Sequence, residues 1–171
     1  MEDAVKNDIE NDSNNDITRA IGIFVINSKN EMLLHKKTDP FKTGDYLWEI
    51  PYLIYTSTIN SPLEEARRYL QHLGIESELH EAFTINSSLS APFKGGHVII
   101  ALAQGPSAIT TYVHDVYQWM AIDYIMHEAH EHAGRYAPWF KAALEGVALY
   151  LKNLLKQRSF TDDSCIVSDP S

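Results

Sequence analysis

The chain has a single cysteine, Cys165, among 171 residues. One thiol cannot close an internal disulfide or build a thiolate zinc site, so an ordinary reducing cytoplasm is the expected setting. Basic residues are scarce beside acidic ones, 14 Lys and Arg against 23 Asp and Glu, for a formal net charge of −9. An acidic chain without a dense basic stripe gives little support to nucleic-acid binding. No apolar run is long enough to span a bilayer, so no membrane association is expected. Residues 1–16 also lack the basic and apolar regions of a secretory signal.

What is present points to one globular domain. Hydrophobic residues make up 44% of the chain, and a chain of this length normally builds one core. Residues 1–16 are rich in Asn, Asp and Glu and show no periodicity, so they read as a disordered acidic tail. The domain itself is expected over 17–157, with 158–171 as a flexible C-terminal tail. Cys165 sits in that tail, too far from the terminus for prenylation.

Strand and hairpin signals read 18–26 as a strand, 28–31 as a turn and 32–36 as its hairpin partner. A loop at 39–45 leads into extended structure over 48–55. Further strands are expected at 78–85, 97–103 and 112–121, with a loop over 86–96. Helices are expected at 61–73, 123–133 and, opened by Pro138 and preceded by Gly134, through Leu155. Strands and helices interleave without an internal repeat, which predicts an α/β (α+β) domain with a mixed β-sheet sandwiched between helices.

The first of these helices is the best specified. Ser61 suits the N-cap, Pro62 the first turn, and Glu64 completes a capping box. Leu63, Ala66, Leu70 and Leu73 recur at intervals of three and four and form one core-facing stripe, and Gly74 supplies the stop. Glu64, Glu65, Arg68, Gln71 and His72 share the opposite face. Arg68 follows Glu64 by four residues, which predicts a surface ion pair.

Trp48-Glu49-Ile50-Pro51 and the helix ending Arg67-Arg68-Tyr69-Leu70-Gln71-His72-Leu73-Gly74-Ile75 resemble the signature of the Nudix family. Anchoring on Gly74 and Ile75 puts the family's arginine on Arg67 and its following apolar position on Tyr69. The three helix glutamates that would hold a metal fall on Arg68, Gln71 and His72. The signature's two glycines become Tyr52 and Leu53, and its earlier glutamate becomes Ile59. The resemblance covers most of 17–155 and, through Tyr136-Ala137-Pro138-Trp139-Phe140, looks closest to the isopentenyl-diphosphate isomerase branch, whose cysteine segment and acidic ligands have no match here. It implies the Nudix fold and is compatible with a homodimer.

A helix face with clustered carboxylates can hold Mg²⁺ or Mn²⁺ and polarise a diphosphate. A guanidinium at Arg68 repels such an ion, and Glu65 and His72 stand about 10 Å apart along the axis. No metal ligand is therefore assigned, and Mg²⁺ or Mn²⁺ belongs only to a reading in which Glu49, Glu64, Glu65, Asp115 or Glu128 rebuild the site elsewhere. Residual catalysis would fall to His72, Glu64, Glu65 or His97. Lys36, Lys37, Lys42, Lys94 and Arg68 are the plausible phosphate contacts, because only lysine and arginine bring fixed positive charge. Trp48, Glu49, Tyr52, Tyr55 and Trp119 could line or stack within a pocket. Tyr52 and Leu53 crowd the approach that the glycines would open, so a filled pocket or strand is expected there.

His127, His130 and His132, interspersed with Glu128 and Glu131, lack the spacing of a zinc helix motif, and the reading is a solvated helix end. The leading expectation is a catalytically impaired module that binds a nucleotide-like or diphosphate ligand, a small phosphorylated ligand, or a protein partner. The alternatives are a metal-dependent hydrolase of nucleoside-diphosphate-linked substrates with a relocated site, and a diphosphate isomerase or other non-hydrolytic enzyme using His72, His97 or Tyr52.

Overall fold

A computed structural model describes residues 19–37, 46–55, 61–85, 95–105, 109 and 115–164. Its elements run β1 (Arg19–Ile26), β2 (Glu31–Lys37), β3 (Tyr52–Tyr55), α1 (Pro62–His72), β4 (Glu76–Ile85), β5 (Gly96–Gln104), β6 (Asp115–Ala121), α2 (Ile122–Glu131), a 3₁₀ turn at Ala133–Arg135, and α3 (Pro138–Ser164). The strands form one mixed sheet in the order β4-β5-β1-β2-β6, with β3 paired to β1 outside that path.

β1 sits at the centre and is apolar on both sides. Ala20, Phe24 and Ile26 enter one core with α2 and α3, while Ile21, Ile23 and Val25 enter a second core with α1. A strand covered on both faces reads as a continuous apolar run, which is why 20–26 shows little alternation. Phe24 packs on Phe140 of α3 with ring centroids 6.2 Å apart. Both rings are fully buried, and each such burial stabilises by about 1.5–3 kcal/mol. Gly146 of α3 permits close approach of the sheet, since a Cβ there would stand 2.7 Å from the Phe83 ring.

The edge of β1 is shared. Its first half, Arg19 to Gly22, pairs with β3 from Tyr55 to Tyr52, whereas its end meets β2 at Ile26 and Met32. β2 then turns to pair with β6 along its whole length. The sheet therefore forks between β2 and β3. Gly96 holds the other edge with φ +148°, where a Cβ would lie 1.8 Å from the Ala20 carbonyl oxygen.

α1 forms as its sequence requires. The Ser61 hydroxyl accepts from the Glu64 amide at 3.3 Å, Ala66 and Leu70 are buried, and Gly74 takes φ 82°. The expected Glu64–Arg68 pair is replaced. Arg67 pairs with Glu64 and Arg68 with Glu65, both at i,i+3 spacing. The i+3 partner lies as near as the i+4 one on a helix surface, and Arg67 competes for Glu64.

One boundary also differs from expectation. α3 continues to Ser164 rather than stopping near Leu155, so residues 158–164 are helical where a loose tail was expected. Arg158 explains part of the extension, donating to the Asn27 carbonyl and the Asn30 side chain at 2.7 Å each, so the β1–β2 turn anchors the late helix. β6 begins at Asp115 among the described residues, and the loops at 39–45 and 86–94 lie outside them.

Candidate functional site

His35 stands apart: among the described residues it is the one polar side chain in the buried class, 3% exposed. Strand alternation puts Leu33, His35 and Lys37 on the α1 side of β2, with Trp119, Tyr117 and Asp115 opposite them in register on β6. The His35 Nε2 lies 2.7 Å from an Asp115 carboxylate oxygen. A carboxylate has no proton to give, so Nε2–H is the donor. The other ring nitrogen, Nδ1, faces a Glu49 oxygen at 3.7 Å and has no hydrogen-bond partner among the described residues.

Glu49 is itself fixed. The Trp139 indole N–H donates to its second oxygen at 3.0 Å, and the Tyr52 hydroxyl also bonds to it. Burial, reinforced by the Glu49 charge, pushes the Tyr52 phenol up to about 12, so it remains a donor at neutral pH. Tyr117 stacks on His35 at 4.7 Å, and its hydroxyl meets that of Tyr69 from α1 at 3.0 Å. Burying an imidazole between two carboxylates is costly unless hydrogen bonds and packing compensate. Here the compensation comes from four elements at once.

His35, Asp115, Tyr52, Tyr69 and Tyr117 border a cavity of about 490 Å³ in the fork of the sheet. β2 contributes His35 and Lys37, β3 contributes Tyr52, Leu53 and Ile54, α1 contributes Tyr69, His72 and Leu73, and β6 contributes Asp115 and Tyr117. Neither Lys37 nor His72 is ion-paired among the described residues. Of the residues singled out from sequence, Lys37, Tyr52, His72 and Asp115 thus converge on one cavity.

The others are placed elsewhere. Lys36 lies over the Trp48 ring at 5.5 Å, and that ring packs with the α3-side core. Glu49 supports His35 without lining the cavity. Glu64, Glu65 and Arg68 are taken up in the α1 ion pairs. His97 binds Glu81 at 2.6 Å and stacks on Tyr55, and Trp119 is packed in the α1-side core with its indole nitrogen unpartnered among the described residues. Lys42 and Lys94 lie outside the described residues.

A second cavity, about 380 Å³, lies between α2 and α3, and of the three clustered histidines only His130 borders it. His132 instead meets Glu128 at 3.0 Å, a mostly buried carboxylate that, after burial itself, raises the Tyr136 phenol.

Comparison with solved structures returns the crystal structure of an ADP compounds hydrolase, with a TM-score of 0.60 over 80% of this chain and 74% of that one. The fold is of the Nudix type. Sequence identity over the match is 16%, so the likeness concerns the fold alone. No protein-family model matches the chain, and no curated protein does. These comparisons do not single out the isomerase-like branch.

A Nudix-type fold implies a divalent metal on the helix that α1 represents. The residues do not fit one. The expected ligand positions carry Arg68, Gln71 and His72, and Arg68 is bonded to one of the two nearby glutamates. Among the described residues no three His, Cys, Asp or Glu side chains come together as a metal site. The carboxylates considered as replacements are dispersed: Glu49 and Asp115 flank His35, Glu64 and Glu65 hold arginines, and Glu128 holds His132.

Sequence reasoning passed over His35, Tyr69 and Tyr117. A faint signal existed for His35, a histidine at a core-side position of a strand otherwise built from Met and Leu. Nothing local pointed to its partner, 80 residues away.

Proposed function

We propose that the chain is a catalytically impaired Nudix-fold module that binds a small phosphorylated ligand, nucleotide-like or diphosphate, in the fork cavity without a metal. The observation that carries this reading is the pairing pattern. Lys37 and His72 line a cavity with three tyrosines and are not ion-paired among the described residues, while both α1 glutamates are held by arginines. A lysine ammonium attracts phosphate oxygens, and an imidazole N–H can donate to them. A volume near 490 Å³ accommodates one small organic ligand. Tyr52 and Leu53, in place of glycines, supply apolar wall.

The test is calorimetry and thermal shift with nucleoside monophosphates, nucleoside diphosphate sugars, dinucleotides and prenyl diphosphates, each with EDTA or Mn²⁺, alongside a turnover assay. Saturable binding that EDTA leaves intact, and that Lys37→Ala weakens by about tenfold, supports the module. Metal-dependent turnover overturns it in favour of a hydrolase, metal-free turnover favours a non-hydrolytic enzyme, and silence across the panel favours a protein partner. The register of α1 is tested separately. Arg68→Glu, Gln71→Glu and His72→Glu together should create Mn²⁺ affinity, and a folded triple variant that binds none would refute the register.

A further inference from the structure

We infer that Asp115 reads a hydrogen-bond donor, a hydroxyl or an ammonium, on the ligand of the fork cavity. The inference rests on that cavity being the ligand site. Of the two carboxylates that touch His35, Glu49 is withdrawn and doubly bonded by Trp139 and Tyr52. Asp115 is the one that lines the cavity, with its side chain 25% exposed. His35 occupies one of its oxygens at 2.7 Å, and the other has no hydrogen-bond partner among the described residues.

An ionised carboxylate offers about four acceptor sites, so among the described residues most of the capacity of Asp115 is open. It shares the cavity lining with Tyr117, Tyr69, Leu73, His35 and Lys37, so a ligand seated there is within reach of its carboxylate. Lys37 stands opposite Asp115 in the β2–β6 register, yet the two form no ion pair among the described residues. Asp115 is therefore not there to neutralise Lys37. The cavity presents a fixed acceptor beside a cation that is not ion-paired among the described residues, which suits a ligand carrying a donor close to its anionic group. His35 acts as a positioning residue: buried and stacked on Tyr117, it holds the carboxylate in one orientation.

The experiment uses the full chain and four probes: phenyl phosphate, its hydroxymethyl and aminomethyl ring derivatives, and benzylamine. The readout is the ratio of Kd for phenyl phosphate to Kd for each donor-bearing derivative. The expected ratio is about tenfold or more in the unaltered protein and near one in Asp115→Ala. His35→Phe keeps a ring against Tyr117 without either nitrogen, and it should lower the ratio while Asp115 is still present. Should that variant misfold, Asp115→Asn still tests the reading group, retaining an acceptor but losing the charge, so the ratio should fall more for the ammonium derivative than for the hydroxyl one. A ratio near one in the unaltered protein, or one that survives Asp115→Ala, overturns the inference. If phenyl phosphate does not bind but benzylamine binds in an Asp115-dependent way, the phosphate reading fails and the role of Asp115 stands. If neither binds, the role of Asp115 fails as well.

Discussion

The outer face of α1 and the β2–β6 wall carry similar side chains, carboxylates beside basic groups, with opposite consequences. On α1 the pairs Glu64–Arg67 and Glu65–Arg68 are local, exposed and built within one turn. Water screens such pairs, and each contributes only a few tenths of a kcal/mol. At the wall, a buried His35 meets Asp115 and Glu49 from separate segments. A buried pair must be matched by geometry, because an unpaired partner left behind is destabilising. The comparison teaches that the ionisable residues easiest to see in this sequence do least, while an inconspicuous histidine organises the cavity.

The contrast can be broken most sharply at His35. His35→Ala removes a buried ring, its stack on Tyr117 and its bond to Asp115, and should lower unfolding stability by about 2–4 kcal/mol. Urea denaturation measures it, and a change below about 1 kcal/mol would place the wall in the same class as the α1 surface.

Tyr52 extends the comparison to alkaline pH. Its folded pKa, pushed up to about 12, exceeds the ordinary value of 10.0. Folding thus favours the protonated phenol, and the stability from this group is complete below pH 10 and lost as pH rises through the 10–12 window. Tyr52→Phe should flatten that part of the stability profile relative to the unaltered protein. An unchanged slope between the two proteins would show that the phenol titrates as if free.

Two changes on α1 mark the weak end. Ser61→Ala deletes the N-cap acceptor of the Glu64 amide and should cost about 1 kcal/mol. Glu65→Gln, which weakens an exposed pair with Arg68, should shift stability by less than about 0.5 kcal/mol and leave ligand affinity unchanged. A larger loss on either measurement would mean that the α1 surface contributes to the site.

The legibility of the chain follows the same division. Ser61, the stripe of Ala66, Leu70 and Leu73, and Gly74 define α1 because capping and helical periodicity act over a few residues. The strand at β1 was legible as such, but its burial on both faces emerged only with the helices packed on either side. Lys37, Tyr52 and His72 were recognisable as candidates by residue type, but equally so were Lys36 and Trp48, which the strand pleat directs to the other side of the sheet. A pleat reverses direction at every residue, so assigning a side chain to the cavity requires knowing which face the fork opens on. The end of α3 was misjudged for a related reason: Arg158 is stabilised by Asn27 and Asn30, far back in the chain.

By itself the sequence determined the mixed α/β composition and the caps and core stripe of α1. Tertiary structure decided that β2 and β3 part along β1, that a cavity forms in the gap, and that His35 lies between Asp115 and Glu49. The physical reason is range. Capping and periodicity are satisfied within one or two helical turns, whereas a buried imidazole acquires its partners only when strands distant in sequence are brought into register.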